Sequence, residues 1–422
     1  MNNLTFIDLF AGCGGLSLGL EQAGFHPLFV NELNNDALGS YLRNRDGEYS
    51  YLKDELFHCN DVKELVLDKT KARKVQRGIE ELHGISIKNG DVDLVVGGPP
   101  CQGYSGIGHR RSYSVDKEQL PSNHLYEDMA YIVANYKPKI FLFENVKGLL
   151  SAKWKTDGDK GEIWKDVFAT FAALKDYSIN FSLVRAKDYG VPQNRPRVLL
   201  VGIRNDVTRK AKDVIAQSSE AGGYLPNPVG TAPDLIDLLG DLLDPNFQNG
   251  GRTELYPSRV RNEIQKYFRT DRNGKTIGIR GAVSEHEYSN HAPHVVEKFK
   301  YMLLNDGEIP PHLKTKKFAQ RLLPARWGND GPTITATSLA DDYVHFAQPR
   351  VLTVREWARL QGFPDWYEFS GSRTTGGLRR AGNPRLGVFD RELPKYTQIG
   401  NAVPVFLARA VGEHFKRILM AG

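Results

Sequence analysis

The 422-residue chain is predicted to be an α/β protein with a mostly parallel sheet, followed by a second, less regular domain. In the first two hundred residues, short apolar runs alternate with amphipathic stretches, which is the pattern of successive β–α units. After Arg204 this alternation stops. From about Ala221 to Thr337, Gly, Pro, Asn and Tyr follow in irregular order without a sustained helical period, which predicts a separate domain.

Several apolar runs in the first domain are predicted to be strands: 4–10, 27–31, 92–96, 139–143, 179–185 and 198–203. Helices are predicted between them, for instance 15–23 and 124–136, because apolar residues recur there at helical spacing. In the second domain, DRNGKT at 271–276 has the composition of a hairpin turn. A helical pattern resumes after Thr353, and 402–419 is predicted to be a closing amphipathic helix.

The composition favours a globular protein and excludes several other classes. Hydrophobic residues make up 40% of the chain and charged residues 25%, so disorder is not expected. No apolar run approaches the roughly 20 residues that cross a bilayer, and the N-terminus lacks a secretory signal, so we expect a cytosolic protein without a membrane partner. Cys13, Cys59 and Cys101 are too scattered for a disulfide framework, and no CxxC or HxxxH spacing predicts a metal site.

The formal net charge of +6 is concentrated in one segment. Residues 251–326 contain 15 Lys and Arg against 8 Asp and Glu, an excess of seven, so the rest of the chain is nearly neutral. This segment is predicted to face a polyanion, although ordinary solvated side chains would give the same count.

The stretch FIDLFAGCGGLSLGLEQAGF reads as a strand, a turn containing Gly12 and Gly14, and a helix. Glycines let a ligand approach the backbone at such a turn, although many β–α turns contain glycine for packing alone. Glu32 ends the next strand about twenty residues later, where an acid can bind both hydroxyls of a ribose. Asp61 stands where a third strand would end and has the chemistry to bind an adenine amino group. These residues together predict a nucleoside cofactor at the carboxyl edge of the sheet.

Cys101 follows the fourth strand, in DLVVGGPPCQGYSG, and is predicted to be a nucleophile on the same edge. The alternative is a small buried hydrophobic residue, the usual fate of a free cysteine. The next strand ends in KIFLFENVKGLL, where Glu144 follows apolar residues; desolvation there would keep its carboxyl group protonated as a donor. The alternative is that Glu144 only caps the helix that follows the strand.

Three polar residues alternate in DYGVPQNRPRVLLVGIR: Gln193, Arg195 and Arg197. Alternation places them on one face of a strand, where two cations can orient an acid such as Glu144 and hold a phosphate or a base carbonyl. A surface stripe is the alternative.

These motifs, in this order and over nearly the whole chain, resemble those of the S-adenosylmethionine-dependent C5-cytosine DNA methyltransferases of bacterial restriction–modification systems. The matching motifs are FIDLFAGCGG, NEL, ND, GGPPCQGYS, FENV, QNRPR, RVLTVREWARLQGFP and QIGNAVP. The resemblance implies a Rossmann-like, mostly parallel seven-stranded sheet and a smaller target-recognition domain. It also implies a discontinuous catalytic domain, 1–204 with 390–422, around a recognition domain at 205–389.

The resemblance further implies roles for individual residues. Phe10 would stack on adenine, Gly12 and Gly14 would admit the methionine portion, and Glu32 would hold the ribose. The remaining cofactor contacts would be made by Leu33, Asp61, Val62, Pro100, Asn401 and Val403. S-adenosylmethionine would be the methyl donor and S-adenosylhomocysteine the product.

The implied reaction is methylation of C5 of a cytosine extruded from duplex DNA. The Cys101 thiolate would attack C6 while Glu144 stabilises the charge that enters the ring, and Arg195 would lie near the base carbonyl and Glu144. The protein would act as a monomer in the bacterial cytosol, without physical need of a companion endonuclease.

Three other functions share parts of this pattern: a tRNA cytosine-C5 methyltransferase, a catalytically silent DNA-binding relative and an NAD-dependent oxidoreductase. The basic segment disfavours the first, and intact Cys101, Glu144 and Arg195 disfavour the second. The third leaves Cys101 and the second domain without a role.

Overall fold

The computed structural model describes residues 3–100, 121–155, 157–314, 320–326, 342–374 and 392–421. The chain forms two compact units. The first comprises Met1–Tyr189, Pro196–Val229 and Phe406–Gly422, and the second comprises Gly190–Arg195 and Gly230–Val405. The domain boundaries at residues 204 and 390 stay predictions.

The first unit contains a seven-stranded sheet in the order β3-β2-β1-β4-β5-β7-β6. Its strands are β1 (Leu4–Leu9), β2 (Phe25–Asn31), β3 (His58–Cys59), β4 (Leu94–Gly97), β5 (Ile140–Val146), β6 (Tyr177–Arg185) and β7 (Pro196–Arg204). The first five are parallel, and β7 is antiparallel to both of its neighbours. The prediction of a mostly parallel seven-stranded sheet is therefore confirmed.

Helices follow most strands of the first unit. They are α1 (Gly15–Gln22), α2 (Asn35–Arg43), α3 (Lys63–Val66), α4 (Lys69–His83), α5 (Leu125–Tyr136), α6 (Glu162–Ala172), α7 (Asn205–Lys210) and α8 (Lys212–Ile215). Side-chain caps fix two of the starts, because Asn34 accepts from Asp36 N and Ala37 N, and Asp68 caps α4. Among the helices that the structure describes, none combines the length and apolar character that crossing a membrane requires.

The core of the first unit lies against the sheet and includes the fully buried side chains of Ile7, Val95 and Phe141. Phe141 faces Gly202 across the β5–β7 pair. A Cβ at Gly202 would lie 2.0 Å from the Phe141 ring, so only glycine leaves room for this ring.

The second unit is built from helices, turns and short strands. Its elements are α9 (Leu235–Leu239), α10 (Glu263–Arg269), α11 (Pro293–Leu304), β8 (Arg321–Leu322), β9 (Tyr343–Val344), α12 (Val354–Leu360) and α13 (Lys395–Asn401). The last helix, α14 (Val405–Met420), continues from it into the first unit. The predicted turn at 271–276 is confirmed, because Thr270 and Thr276 form an antiparallel bridge and Gly274 N donates to Asp271 O at 3.1 Å.

The prediction that 221–337 lacks a sustained helix is wrong, because α11 is twelve residues long. Its buried Phe299 and Met302 pack with Val344 and Val351, and the partly buried Val295 lies on the same helical face. Pro293 stands in the first turn, where proline is tolerated. Gly, Pro and Asn residues dominate the composition around α11, so the helical spacing of its few apolar residues is difficult to detect in the sequence.

Helix α12 is entirely buried although it carries three charged residues, Arg355, Glu356 and Arg359. Arg350 makes two 2.7 Å bonds to the Glu356 carboxylate, which also accepts from Thr353 N at 2.8 Å. Arg359 pairs with Asp241 at 2.5 Å and Asp365 at 2.6 Å. Burial opposes ionisation of Glu356, but Arg350 outweighs it and holds the pKa of this carboxyl group well below its usual range. Paired charges thus take the place of apolar packing here.

Glu356→Gln is expected to lower the free energy of unfolding by about 3 kcal/mol or more, because Arg350 would keep its buried charge without a counter-charge. Denaturant unfolding followed by tryptophan fluorescence measures the change. In the matched control, Glu254→Gln removes a carboxylate that pairs with Arg252 at the surface, and it should leave the transition unchanged. Equal losses in both variants would contradict this account of the buried pair.

Candidate active site

The glycine-rich turn after β1 has a backbone conformation that leaves space above it. Phe10, Gly12 and Gly14 all have positive φ, at 58°, 57° and 88°. This conformation is unfavourable for Phe10, since a side chain in the left-handed region costs roughly 1 kcal/mol. A Cβ at Gly12 would meet nothing within 4 Å, so the surface over this turn is open. The turn leads directly into α1, whose first residue has no side-chain cap.

Glu32 is held beside this turn by two backbone amides. Gly12 N donates to Oε2 and Asn34 N donates to Oε1, each at 2.8 Å. Burial raises the pKa of Glu32, and these two hydrogen bonds work against that rise. Because a carboxylate has about four acceptor positions, both oxygens can still accept from a diol. The geometry thus brings the predicted ribose-binding acid to the predicted turn.

The other predicted cofactor residues of the first unit differ in exposure. Leu33 is 70% exposed, although leucine is usually buried, and Pro100 is exposed as well. Asp61 is exposed, and its Oδ1 accepts from Lys63 N at 3.0 Å. Val62, by contrast, is only 2% exposed and packs in the hydrophobic core. Leu33 and Asp61 are therefore accessible to a ligand at the carboxyl edge of β2 and β3.

Asn401 and Val403 belong to the second unit, where Asn401 ends α13. Their contribution to the cofactor pocket stays a prediction.

A layer of buried polar groups lies beneath the glycine-rich turn, and sequence reasoning missed it. Ser17 donates to Asp8 Oδ2 at 2.5 Å and shares a 2.8 Å hydrogen bond with Tyr41. Arg45 stacks on the Tyr41 ring at 3.6 Å, pairs with Glu21 at 2.6 Å and reaches the carbonyl of the turn residue Gly14 at 3.4 Å. Burial raises the pKa of Asp8 to about 7. The acidic residue Asp8 within the apolar run FIDLF is the sequence feature that could have indicated this layer.

The predicted nucleophile, Cys101, lies outside the described residues, but the segment that leads to it is described. Asn145 Nδ2 donates to Pro99 O at 3.2 Å, which joins the end of β5 to this segment. Pro99, Pro100 and Asn145 also line a small pocket. The residues that precede Cys101 therefore lie directly beside Asn145, at the end of β5.

Glu144 forms the central ion pair of the site. Arg197 Nε lies 2.5 Å from Glu144 Oε1, and both side chains are largely buried. The antiparallel pairing of β5 with β7 places Arg197 opposite Val146, two residues from Glu144. The other carboxylate oxygen, Oε2, faces Gly98, where a Cβ would approach it to 2.9 Å. Gly98 therefore provides the space that this carboxylate occupies.

The other two alternating residues belong to the second unit. Gln193 Nε2 donates to Leu360 O at 2.9 Å and to Gln361 Oε1 at 2.6 Å. Arg195 donates to Gly400 O. Arg197 thus pairs with Glu144, whereas the orienting role of the two cations and the place of Arg195 beside a base carbonyl stay predictions.

Comparisons with known proteins agree on one family. The model of the family described as C-5 cytosine-specific DNA methylase matches residues 4–417. The type II methyltransferase M.DdeI of Desulfomicrobium norvegicum is 29% identical over 97% of this chain and 88% of its own length. M.XorII of Xanthomonas oryzae pv. oryzae, also a type II methyltransferase, is 30% identical over 98% of this chain and 84% of its own.

A solved structure described as an E. coli prophage-encoded DNA modification methyltransferase has the same fold. Its TM-score is 0.64 at 22% identity, and the match covers 99% of both chains.

Asp8→Asn is expected to stabilise the protein at neutral pH. The unfolded chain loses the Asp8 proton near its ordinary pKa of 3.8, whereas the folded protein keeps it to about 7. Between pH 3.8 and about 7, folding takes up a proton, so the free energy of unfolding of the wild type falls as the pH rises. At 1.36 kcal/mol per pH unit, the total loss is about 4 kcal/mol. The asparagine variant lacks this loss, and its advantage should vanish near pH 4. Denaturant unfolding across this pH range measures the difference.

Asp213→Asn is the matched control, because Asp213 is exposed on α8. Its stability difference from the wild type should not change with pH. A constant offset for Asp8→Asn as well would show that Asp8 is not protonated in the folded protein.

Proposed function

Since the chain belongs to the C-5 cytosine-specific DNA methylase family and is a DNA cytosine-5-methyltransferase, we propose that Cys101, Glu144 and Arg197 carry out the reaction. The methyl donor in this proposal is S-adenosylmethionine, and the substrate is a cytosine extruded from a specific duplex sequence. The observation that carries the proposal is the buried Glu144–Arg197 pair, set against Gly98 three residues before Cys101.

The residues around the glycine-rich turn fit S-adenosylmethionine. Open space above Gly12 admits the amino-acid portion, and Glu32, fixed by two backbone amides, accepts hydrogen bonds from the ribose. The exposed Leu33 and Asp61 offer an apolar surface and an acceptor for the adenine. When bound, this donor supplies an electrophilic methyl group on a sulfonium sulfur.

The protein's part in the chemistry is to make cytosine C5 nucleophilic. The Cys101 thiolate adds to C6 and forms a C–S bond, and the displaced electron pair is delocalised toward N3, where Glu144 donates a proton. Arg197 pairs with Oε1, and Oε2, which lies beside Gly98, is the oxygen proposed to carry that proton. C5 then takes up the methyl group and loses its proton to a base, and N3 returns its proton to Glu144. The restored electron pair expels the Cys101 thiolate and regenerates the aromatic ring.

The substrate is double-stranded DNA, and the second unit is proposed to read its sequence. The thiol reaches C6 only if the target base leaves the stack. Residues 251–326, with their excess of seven positive charges, supply cations for the phosphates. Because M.DdeI and M.XorII are type II methyltransferases, we place this enzyme as the modification partner in a restriction–modification system, acting as a monomer.

A duplex that carries 5-fluorocytosine tests the mechanism. With S-adenosylmethionine present, the wild type should remain covalently bound to this DNA on a denaturing gel, because fluorine at C5 cannot leave as the proton does. Cys101→Ala should give no complex, and Glu144→Gln should form it at least about a hundred times more slowly. A fluorinated tRNA transcript runs in parallel. Trapping on tRNA but not on DNA, or an undiminished complex with Cys101→Ala, would overturn the proposal.

Gly98→Ala is expected to reduce kcat by about tenfold or more, because the new methyl group displaces Glu144 Oε2 by closing to 2.9 Å. The affinity for S-adenosylmethionine should be unchanged, since its proposed site is at Gly12 and Glu32. Methyl incorporation into duplex DNA and calorimetric titration of the donor measure the two effects. In the control Gly47→Ala, the added Cβ meets nothing within 4 Å, and both quantities should stay at wild-type values.

A further inference from the structure

A four-residue turn in the second unit, Gly278–Ile279–Arg280–Gly281, presents two unusual side chains. Ile279 is 48% exposed, although isoleucine is among the most buried residue types. Arg280 is exposed and has a φ of 63°, a left-handed conformation that residues with a side chain rarely adopt. Within the described parts of the chain, its guanidinium makes no hydrogen bond or ion pair.

Backbone hydrogen bonds fix the conformation of this turn. Arg280 N donates to Tyr256 O at 3.0 Å, and Tyr256 N donates to Gly281 O at 2.9 Å. Gly281 N in turn donates to Gly278 O at 3.1 Å. A Cβ at Gly281 would lie 2.2 Å from Ile277 Cγ2, so only glycine closes the turn here. The left-handed Arg280 is therefore held in place by its neighbours.

The residues beneath the turn are buried and rigidly connected. Tyr256 donates to Asp365 at 2.5 Å, and the Arg269 guanidinium stacks on the Tyr256 ring at 3.8 Å. Arg269 also donates to Ile277 O at 2.9 Å and to Ser258 O at 2.9 Å. Asp365 belongs to the buried charge cluster around Arg359. The exposed turn is thus connected, through Tyr256 and Arg269, to a buried and hydrogen-bonded part of this unit.

Three cations lie close in sequence to the turn or to Tyr256, which the turn binds. Arg259, Arg261 and Lys275 are exposed, and among the described residues none of them forms an ion pair. Backbone strain of roughly 1 kcal/mol persists where the surrounding structure enforces it, and such positions cluster at ligand sites. An exposed arginine in a segment with cations that attract phosphate has the chemistry to bind O6 and N7 of guanine. An exposed isoleucine offers apolar contact to a thymine methyl group.

We propose that Ile279 and Arg280 are a base-reading tip that determines part of the target sequence, with Arg280 selecting guanine in the major groove. This inference rests on the proposed function of the second unit and assigns the reading to two named residues. Arg259, Arg261 and Lys275 hold the flanking phosphates and do not discriminate between bases.

Selection of bound duplexes from a library with a random central segment tests the inference independently of methyl transfer. Arg280→Gly should lose the preference for guanine at one position by about tenfold or more while the other positions keep theirs. Its melting temperature should equal or exceed that of the wild type, because glycine tolerates the left-handed conformation. Ile279→Ala should weaken a preference for thymine at a neighbouring position.

Arg261→Gln is the matched control, because it removes another exposed positive charge from the same unit. It should lower affinity for all sequences and reduce the salt dependence by about one phosphate contact without changing the selected sequence. An unchanged selection by Arg280→Gly, equal relaxation by Arg261→Gln, or no selected sequence for the wild type would overturn the inference. Wild-type protein that selects a sequence but transfers no methyl group would instead contradict the proposed chemistry and leave the base-reading tip standing.

Discussion

The antiparallel insertion of β7 between β5 and β6 is the constraint on which the active-site geometry depends. In a sheet of parallel strands alone, the start of β7 would lie at the opposite edge from the end of β5. Reversal of this one strand brings its first residues to the carboxyl edge, so Arg197 meets Glu144 through backbone pairing. The same edge receives the ends of β1, β2 and β3 with the glycine-rich turn, Glu32 and Asp61.

The protein buries ionisable groups in two different ways. In the second unit, Arg350 and Arg359 meet carboxylates with several hydrogen bonds each, so both of these buried charges have a counter-charge close by. In the first unit, Asp8 has one short hydrogen bond, to Ser17, and burial shifts its pKa toward neutrality. Pairing stabilises the ionised form, whereas burial with a single neutral donor favours the protonated form. The difference follows from the number of partners within hydrogen-bonding distance.

The sequence predicted the architecture well because the strands and helices of the sheet follow from local patterns. Alternating apolar runs identify the strands, and acids at strand ends identify the ligand edge, as Glu32 illustrates. Contacts between distant segments were less accessible, since no local pattern in FENV or GGPP indicates that Gly98 faces Glu144. Helix α11 was missed because its apolar period is short and surrounded by turn residues. The Asp8 layer joins residues 8, 17, 41 and 45 from three elements, and only the folded chain brings them together.

The chain enters the second unit twice, first for the six residues Gly190–Arg195 and later for Gly230–Val405. The six-residue segment is bonded to the rest of the second unit, because Gln193 donates hydrogen bonds to the carbonyl of Leu360 and the side chain of Gln361. A chimera that exchanges only residues 230–405 between two relatives would therefore combine α12 of one protein with the residue at position 193 of the other. Exchange of the second unit between relatives is compatible with folding when both segments are exchanged together, or when the glutamine and its two acceptors are the same in donor and host.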